Sequence, residues 1–390
     1  MTAAPLHPPS PTPTPLHAPV LSPYETTLAA LGVAVAAGVP TVLWGGPGEG
    51  KTSVVAATAA ALGLHLEVVL ASVREPTDFA GLPVVAGGRV TLAAPDWAQR
   101  LVDADARGLV PAVFFDEVNT ASPATQAALL RVCSERVVGD LALPSSTVVL
   151  AAANPPSVAA DGWELAAPMA NRFCHLDWRL PADVVAAGFL GSWPGPRVPV
   201  LPADLGPFVR QALAQVSSYL RVRPGDVSVL PSDPAAAGRA FPTPRTWEHA
   251  ASLMAVCDAG GSPAEVRRRV VAGVVGDAAA LQLLSFLEEL DLPDPERVLA
   301  DPAAFVLPER GDRAYAALAA VVAAVLSDPT PDRWQAGVRV VAQAASQGKA
   351  DVGAVAMQTL VQHRPGGAAL PTEIRAFVPV LARAGLLVVP

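Results

Sequence analysis

Gly45-Gly46-Pro47-Gly48-Glu49-Gly50-Lys51-Thr52 satisfies the pattern G-x-x-x-x-G-K-[S/T] at every fixed position. The spacing has a chemical reason. Glycines let successive backbone N–H groups curl round phosphate oxygens, and a helix starting near Lys51 turns its positive end toward them. Lys51 is placed to reach the outer phosphates and the Thr52 hydroxyl to bind Mg²⁺, with Ser53 closing the stretch of phosphate contacts that begins at Gly45. The flanks agree. Thr41-Val42-Leu43-Trp44 reads as a buried strand and Thr52 to Leu62 as an alanine-rich helix. Lysine is scarce, occurring only at 51 and 349, so a lysine kept in a glycine loop is informative.

Further along, Val113-Phe114-Phe115 is an apolar strand ending in Asp116 and Glu117. Beside a phosphate loop, Asp116 would hold the metal, usually through water, and Glu117 would polarise an attacking water as general base. Asn154 follows the apolar run Val148 to Ala153. At a strand end next to the loop it can orient that water; as a turn former before Pro155-Pro156 it satisfies the composition equally. Apolar strands at 41–44, 64–70, 113–115 and 147–152, alternating with helices, predict a parallel sheet covered on both faces. Two hairpins interrupt them, turning at Gly87-Gly88 and Gly139-Asp140. After about Pro181 strand signals fade and helices are expected, with a linker-like GSWPGPRVPVLP at 191–202.

The 390 residues suffice for two or three domains, and 52% apolar content gives ample core. A net charge of −8 provides no general attraction to nucleic acid or anionic membrane. Residues 1–23 are proline-dense and are expected to be disordered. The apolar stretch Leu28 to Trp44 is broken by Gly32, Gly38 and Pro40, and Ala314 to Leu326 is too short for a bilayer, so no membrane span is expected. Cys133, Cys174 and Cys257 have no metal spacing and read as reduced core cysteines of a cytoplasmic protein. His65, His175 and His249 share no metal spacing either, and Arg267-Arg268-Arg269 reads as a solvated helix face or a subunit contact.

With these motifs in this order, the chain resembles an AAA+ module. DEVNTASPATQAALLRVCSER (116–136), AAANPP (151–156), MANRF (169–173) and PTPR (242–245) are similar to the MoxR-type ATPases; REPTDFAGLPV (74–84) is shared with the dynein- and midasin-related branch. The resemblance covers roughly 24–259. It implies an α/β fold: a P-loop AAA+ parallel-sheet core with helices on both faces (24–195) and an all-helical lid (200–306); the C-terminal region (307–390) resembles no assigned family and is read as helical from its composition. The resemblance also implies ATP and Mg²⁺ as ligands, with Asn154 as sensor 1, Arg172 as the arginine finger toward a neighbouring subunit and Arg245 as sensor 2. Asn119 matches the asparagine after the Walker B motif, where a helix N-cap is the structural alternative. The hairpin at 84–92 matches an insertion within helix 2. Both hairpins would face the pore of a homo-oligomeric, hexameric ring. Trp44 departs from the family, which favours a small aliphatic there.

The implied function is ATP-driven remodelling or maturation of a protein partner, often one with a von Willebrand factor A domain. A nucleic-acid motor shares the insertion architecture, but acidic charge and a single basic residue, Arg89, on the first hairpin disfavour it. A metal-chelatase ATPase subunit and a non-catalytic nucleotide switch are further alternatives. Glu117 and Arg172 speak against the switch.

Overall fold

The computed structural model describes residues 21–155, 163–290, 292–369 and 371–378. Most of the expected tail at 1–23 therefore lies outside the described residues, and its last residues belong to the fold. Ser22 accepts from the Glu25 backbone while the Glu25 carboxylate accepts from the Ser22 N–H, a capping box with Pro23 at the first helical position.

The chain then builds α1 (Pro23–Ala36), β1 (Thr41–Trp44), α2 (Lys51–Ala61), β2 (Leu64–Leu70), α3 (Thr77–Ala80), and a hairpin of β3 (Leu82–Ala86) and β4 (Arg89–Ala93). There follow α4 (Asp96–Ala106), β5 (Val110–Asp116), α5 (Pro123–Glu135), a second hairpin of β6 (Val137–Val138) and β7 (Leu141–Ala142), β8 (Val148–Ala153), α6 (Ala167–Ala170) and β9 (Cys174–Asp177). Five of these strands form one parallel sheet in the order β2-β5-β8-β1-β9.

The strands read as continuous apolar runs because both faces are covered. Within β1, Leu43 points to a core shared with α1 and Val55 of α2. Val42 and Trp44 point to the other core, beneath Phe79, Trp97, Leu101 and Leu129. There Phe79, Trp97 and Phe115 meet edge-on or tilted, with centroids 5.8–6.2 Å apart.

The sequence reading lacked β9. Its four residues include His175 and Asp177, so no apolar run marks it. Tertiary packing makes it a strand, paired with β1 on one side and covered by a helix that carries Gly273.

After β9 come α7 (Ala182–Phe189), α8 (Gly206–Val222), α9 (Pro234–Ala237), α10 (Pro244–Ala259), α11 (Ala264–Val275) and α12 (Asp277–Leu290). Helices α8, α10, α11 and α12 contribute to the same core as α1 and one face of the sheet. The segment between α7 and α8 crosses α1 so closely that a Cβ at Gly32 would lie 1.9 Å from the Arg197 carbonyl oxygen. Helices α13 (Pro295–Ala300), α14 (Gly311–Ser327), α15 (Pro331–Ser346) and α16 (Ala350–Gln362) enclose a separate core around Trp334 and Leu360. The Trp334 indole donates to the Leu360 carbonyl at 2.7 Å. No described helix is long and apolar enough to cross a membrane.

Both expected hairpins form. Gly87 and Gly88 have φ of 58° and 75°, which suits a two-residue turn with positive φ at both central positions. The second turn is not a free tip as the sequence implied. The Leu92 N–H donates to the Asp140 carboxylate at 2.7 Å, the Asp140 N–H donates back to the Leu92 carbonyl at 2.9 Å, and the Gly139 N–H reaches the Phe79 carbonyl at 3.3 Å. The Asp140 carboxylate is thus bound to the first hairpin.

A Cβ at Gly273 would fall 2.8 Å from the His175 carbonyl oxygen and 2.8 Å from the Cys174 sulfur. Alanine ordinarily favours a helix over glycine by about 1 kcal/mol, but overpacking costs about 1–3 kcal/mol. Because one obstacle is strand backbone, the steric cost should prevail. Gly273→Ala is therefore expected to lower stability, measured by chemical denaturation, whereas a stabilised variant would mean that α11 does not sit this close to β9.

Candidate nucleotide site

The phosphate loop leaves the carboxyl end of β1, where the Gly45 N–H donates to the Ala153 carbonyl of β8 at 3.2 Å. Gly48 and Gly50 take φ of 79° and 71°, a left-handed conformation that a side chain would strain, and α2 starts immediately after. Lys51 is buried, with 8% of its surface exposed. Its ammonium donates to the carbonyls of Gly45 at 2.7 Å and Gly46 at 2.9 Å, and to the Asn154 side-chain oxygen at 2.9 Å. Burial lowers its pKa, opposed by the carboxylates of Asp116, Glu49 and Glu117. Pro47, Gly48, Thr52 and Ser53 are exposed, and one buried oxygen of Glu49 has no hydrogen-bond partner.

The Thr52 hydroxyl donates to the Asp116 carboxylate at 2.6 Å. Two hard oxygen donors this close, with Thr52 open to solvent, suit Mg²⁺, which takes few protein ligands and completes its shell with phosphate and water. Glu117 has a positive φ of 54°, and its carboxylate accepts from the Ser72 hydroxyl at 2.7 Å. Ser72 follows β2 in sequence, and no signal there singled it out.

Asn119 is not a helix N-cap; Ser122 fills that place by accepting from the Thr125 N–H. Asn119 is buried and grips the backbone of Asn154 from both sides. Its amide donates to the Asn154 carbonyl at 2.7 Å, and its side-chain oxygen accepts from the Asn154 N–H at 3.0 Å. The strand ends carrying Asp116 and Asn154 are thereby locked together, and Asn154 is aimed at Lys51.

A cavity of about 730 Å³ opens beside the loop, lined by Trp44, Gly45, Gly46, Glu49, Asp177 and Arg239 among others. Such a volume is ordinary for a small-molecule site. Arg172 and Arg245 are not among its lining residues. They are close enough to interact: burial lowers the Arg172 pKa and the Arg245 charge lowers it further, opposed by Cys133 and Glu135. The Arg172 guanidinium donates to the Pro168 carbonyl, leaving its buried Nε unpartnered. Asn171 ties this region to the start of α10, accepting from the Thr243 hydroxyl at 2.8 Å and donating to the Phe241 carbonyl at 3.2 Å.

The unusual Trp44 also has a defined setting. Its indole N–H donates to His175 Nδ1 at 2.9 Å, and His175 Nε2 donates in turn to the Ala170 carbonyl at 2.9 Å. Arg239 lies over the other part of this assembly, its guanidinium 4.6 Å from the Trp44 ring centroid. Arg239 itself belongs to no motif that the sequence could reveal.

Residues 40–173 match the family model of the AAA domain, dynein-related subfamily. The fold and loop thus define an AAA+ ATPase domain, and with it an ATP hydrolase. Among solved structures, a candidate ATPase from Cytophaga hutchinsonii is 14% identical, covering 67% of this chain and 88% of that one, with a TM-score of 0.43. A full-length MCM homolog from Methanopyrus kandleri is 19% identical, covering 67% of this chain and 54% of that one, with a TM-score of 0.33. No curated protein matches the chain.

Burial pushes the His175 pKa down to about 4. The folded protein holds this imidazole neutral, whereas the unfolded chain protonates it near its ordinary value of about 6.5. The stability it contributes is thus complete above that value and lost as pH falls toward 4. From this group alone, about 2 kcal/mol should disappear between pH 7 and pH 5. Denaturation midpoints at the two pH values, compared with those of His175→Gln, should show the smaller drop in the variant.

Proposed function

We propose that this chain is a MoxR-like, helix-2-insert AAA+ ATPase that assembles into a hexameric ring. It couples Mg-ATP binding and hydrolysis to remodelling or maturation of a protein partner, one bearing a von Willebrand factor A domain. The proposed division is a nucleotide-binding domain at 24–195, a lid at 200–306 and a C-terminal helical region at 307–390. The observation that supports the ring is the Arg172–Arg245 pair: two like charges near each other, with the buried Arg172 Nε unpartnered, suit an anion supplied from outside, such as a nucleotide held by another copy.

Within one subunit the roles follow from position. The loop from Gly45 to Ser53 cradles the phosphates, and Lys51 exchanges its carbonyl partners for phosphate oxygen. Mg²⁺, held by Thr52 and Asp116, would neutralise charge on the outer phosphates. Glu117 takes a proton from water once Ser72 lets its carboxylate go, and Asn154 orients that water. Arg172 and Arg245 serve the neighbour's nucleotide. The acidic charge of −8 favours a protein client over a phosphate backbone.

Glu117→Gln should bind ATP as well as wild type while turnover falls about 10²–10⁴-fold, because the amide keeps the shape but not the basicity. Undiminished steady-state phosphate release would remove Glu117 from the role.

Assembly in trans has its own test. Arg172→Ala and Lys51→Ala are each expected to be inactive alone, since a finger arginine contributes up to about 10³–10⁵-fold. Mixed rings place an intact Arg172 against an intact loop and should recover part of the activity. Absence of recovery in demonstrated mixed assemblies would rule out action between subunits.

A further inference from the structure

Arg239 stands at the mouth of the cavity beside the phosphate loop, on the segment that leads into α10. Two contacts hold it there. Its guanidinium lies 4.6 Å from the Trp44 ring centroid, and one Nη donates to the Asp177 carboxylate at 2.6 Å. Both contacts come from strand ends that flank the loop, since Trp44 closes β1 and Asp177 closes β9. The platform is rigid because the Trp44 indole is itself fixed through His175 to Ala170.

The ion pair is half open to solvent, with 39% of the Arg239 and 64% of the Asp177 side chain exposed. Exposed pairs of this kind contribute little to stability. A better anion can therefore displace Asp177, and guanidinium is matched to phosphate by its fork of N–H donors. The same cavity connects Arg239 to the phosphate loop. Gly45, Gly46 and Pro155 line the same space, and Pro155 adjoins Asn154, which receives the Lys51 ammonium. Arg239 thus shares a cavity with residues next to the Lys51 ammonium, the group a P-loop directs at the outer phosphates.

We propose that Arg239 is a γ-phosphate ligand acting within its own subunit, parked on Trp44 and Asp177 here and exchanging Asp177 for the phosphate when ATP binds. The proposal depends on the nucleotide site described above and adds to it a residue that separates ATP from ADP. The stacking on Trp44 keeps the guanidinium at the cavity wall during the exchange. It gives the aromatic residue before the loop a purpose. Arg239 also precedes Phe241 and Thr243, which hold Asn171 beside Arg172. Movement of Arg239 toward a nucleotide would thus be felt at the arginine that faces the neighbouring copy.

Another cation, Arg179, lines the same cavity, but it is exposed and no contact holds it in place among the described residues. It is the natural comparison.

The test is nucleotide affinity in a Glu117→Gln background, titrating ATP and ADP separately. Arg239→Ala should weaken ATP about tenfold or more, the scale of a charge-assisted contact, and leave ADP within about twofold. Arg239→Gln, which removes the charge but keeps part of the side chain, should show the same selectivity should the alanine variant fold poorly. Asp177→Asn should hold ATP as tightly as the parent or more tightly, because the competing anion is gone. A merely structural pin predicts otherwise: Asp177→Asn and Arg239→Ala would then behave alike and weaken both nucleotides. That outcome, an unchanged ATP-to-ADP ratio in Arg239→Ala, or a larger selective loss in Arg179→Ala, overturns the proposal. Lys51→Ala separates this failure from that of the site itself. If the parent binds nucleotide and Lys51→Ala does not, the site stands whatever Arg239 does. If the parent binds neither nucleotide, the site falls and Arg239 with it.

Discussion

The ammonium of Lys51 organises the centre of this protein. It is buried, so it must be satisfied by acceptors, and the acceptors come from two different segments: the loop carbonyls of Gly45 and Gly46 and the side chain of Asn154. One charge thus fixes the path of the loop against the end of β8. A loop of glycines has no packing of its own to hold it, and the constraint must be imposed from outside by groups on the sheet.

Those groups are fixed in turn. Asn119 grips the Asn154 backbone through both of its hydrogen-bonding functions, and the Val118 N–H donates to the Ala152 carbonyl at 2.9 Å. The turn after β5, where Glu117 adopts its positive φ, is stitched to the end of β8. The Glu117 carboxylate has one side-chain tether among the described residues, the Ser72 hydroxyl. Rigid backbone and a movable side chain are what a site needs when it must hold water in one state and activate it in another.

Much of this was legible in the sequence, for a physical reason. The loop, the strand before it and the helix after it are contiguous, so one stretch from Thr41 to Leu62 carries the whole signal. Asp116 and Glu117 end an apolar run, and the glycine pair at 87–88 has φ values that few other residues accept. What escaped depends on distant segments meeting. β9 is a strand only because β1 and α11 enclose it. Asn119 matched a family position with an N-cap as the alternative, and neither reading revealed its partner Asn154, far along the chain. Trp44, Asp177 and Arg239 carry no common motif, and Trp44 registered only as a departure from a family habit. Ser72 lies at the end of a strand in a composition that many strand ends share.

The clasp between the two hairpins has a mechanical side. Leu92 and Asp140 are joined through two hydrogen bonds, so the outer ribbon of β3 and β4 cannot swing independently of the inner one. The inner ribbon continues directly from α5, and the other end of that helix begins just after Thr120, whose hydroxyl donates to the Glu117 carbonyl at 2.8 Å. Ribbons, helix and the backbone of Glu117 are joined by short links, so a displacement of either hairpin is shared by the other and passed along α5 toward the end of β5.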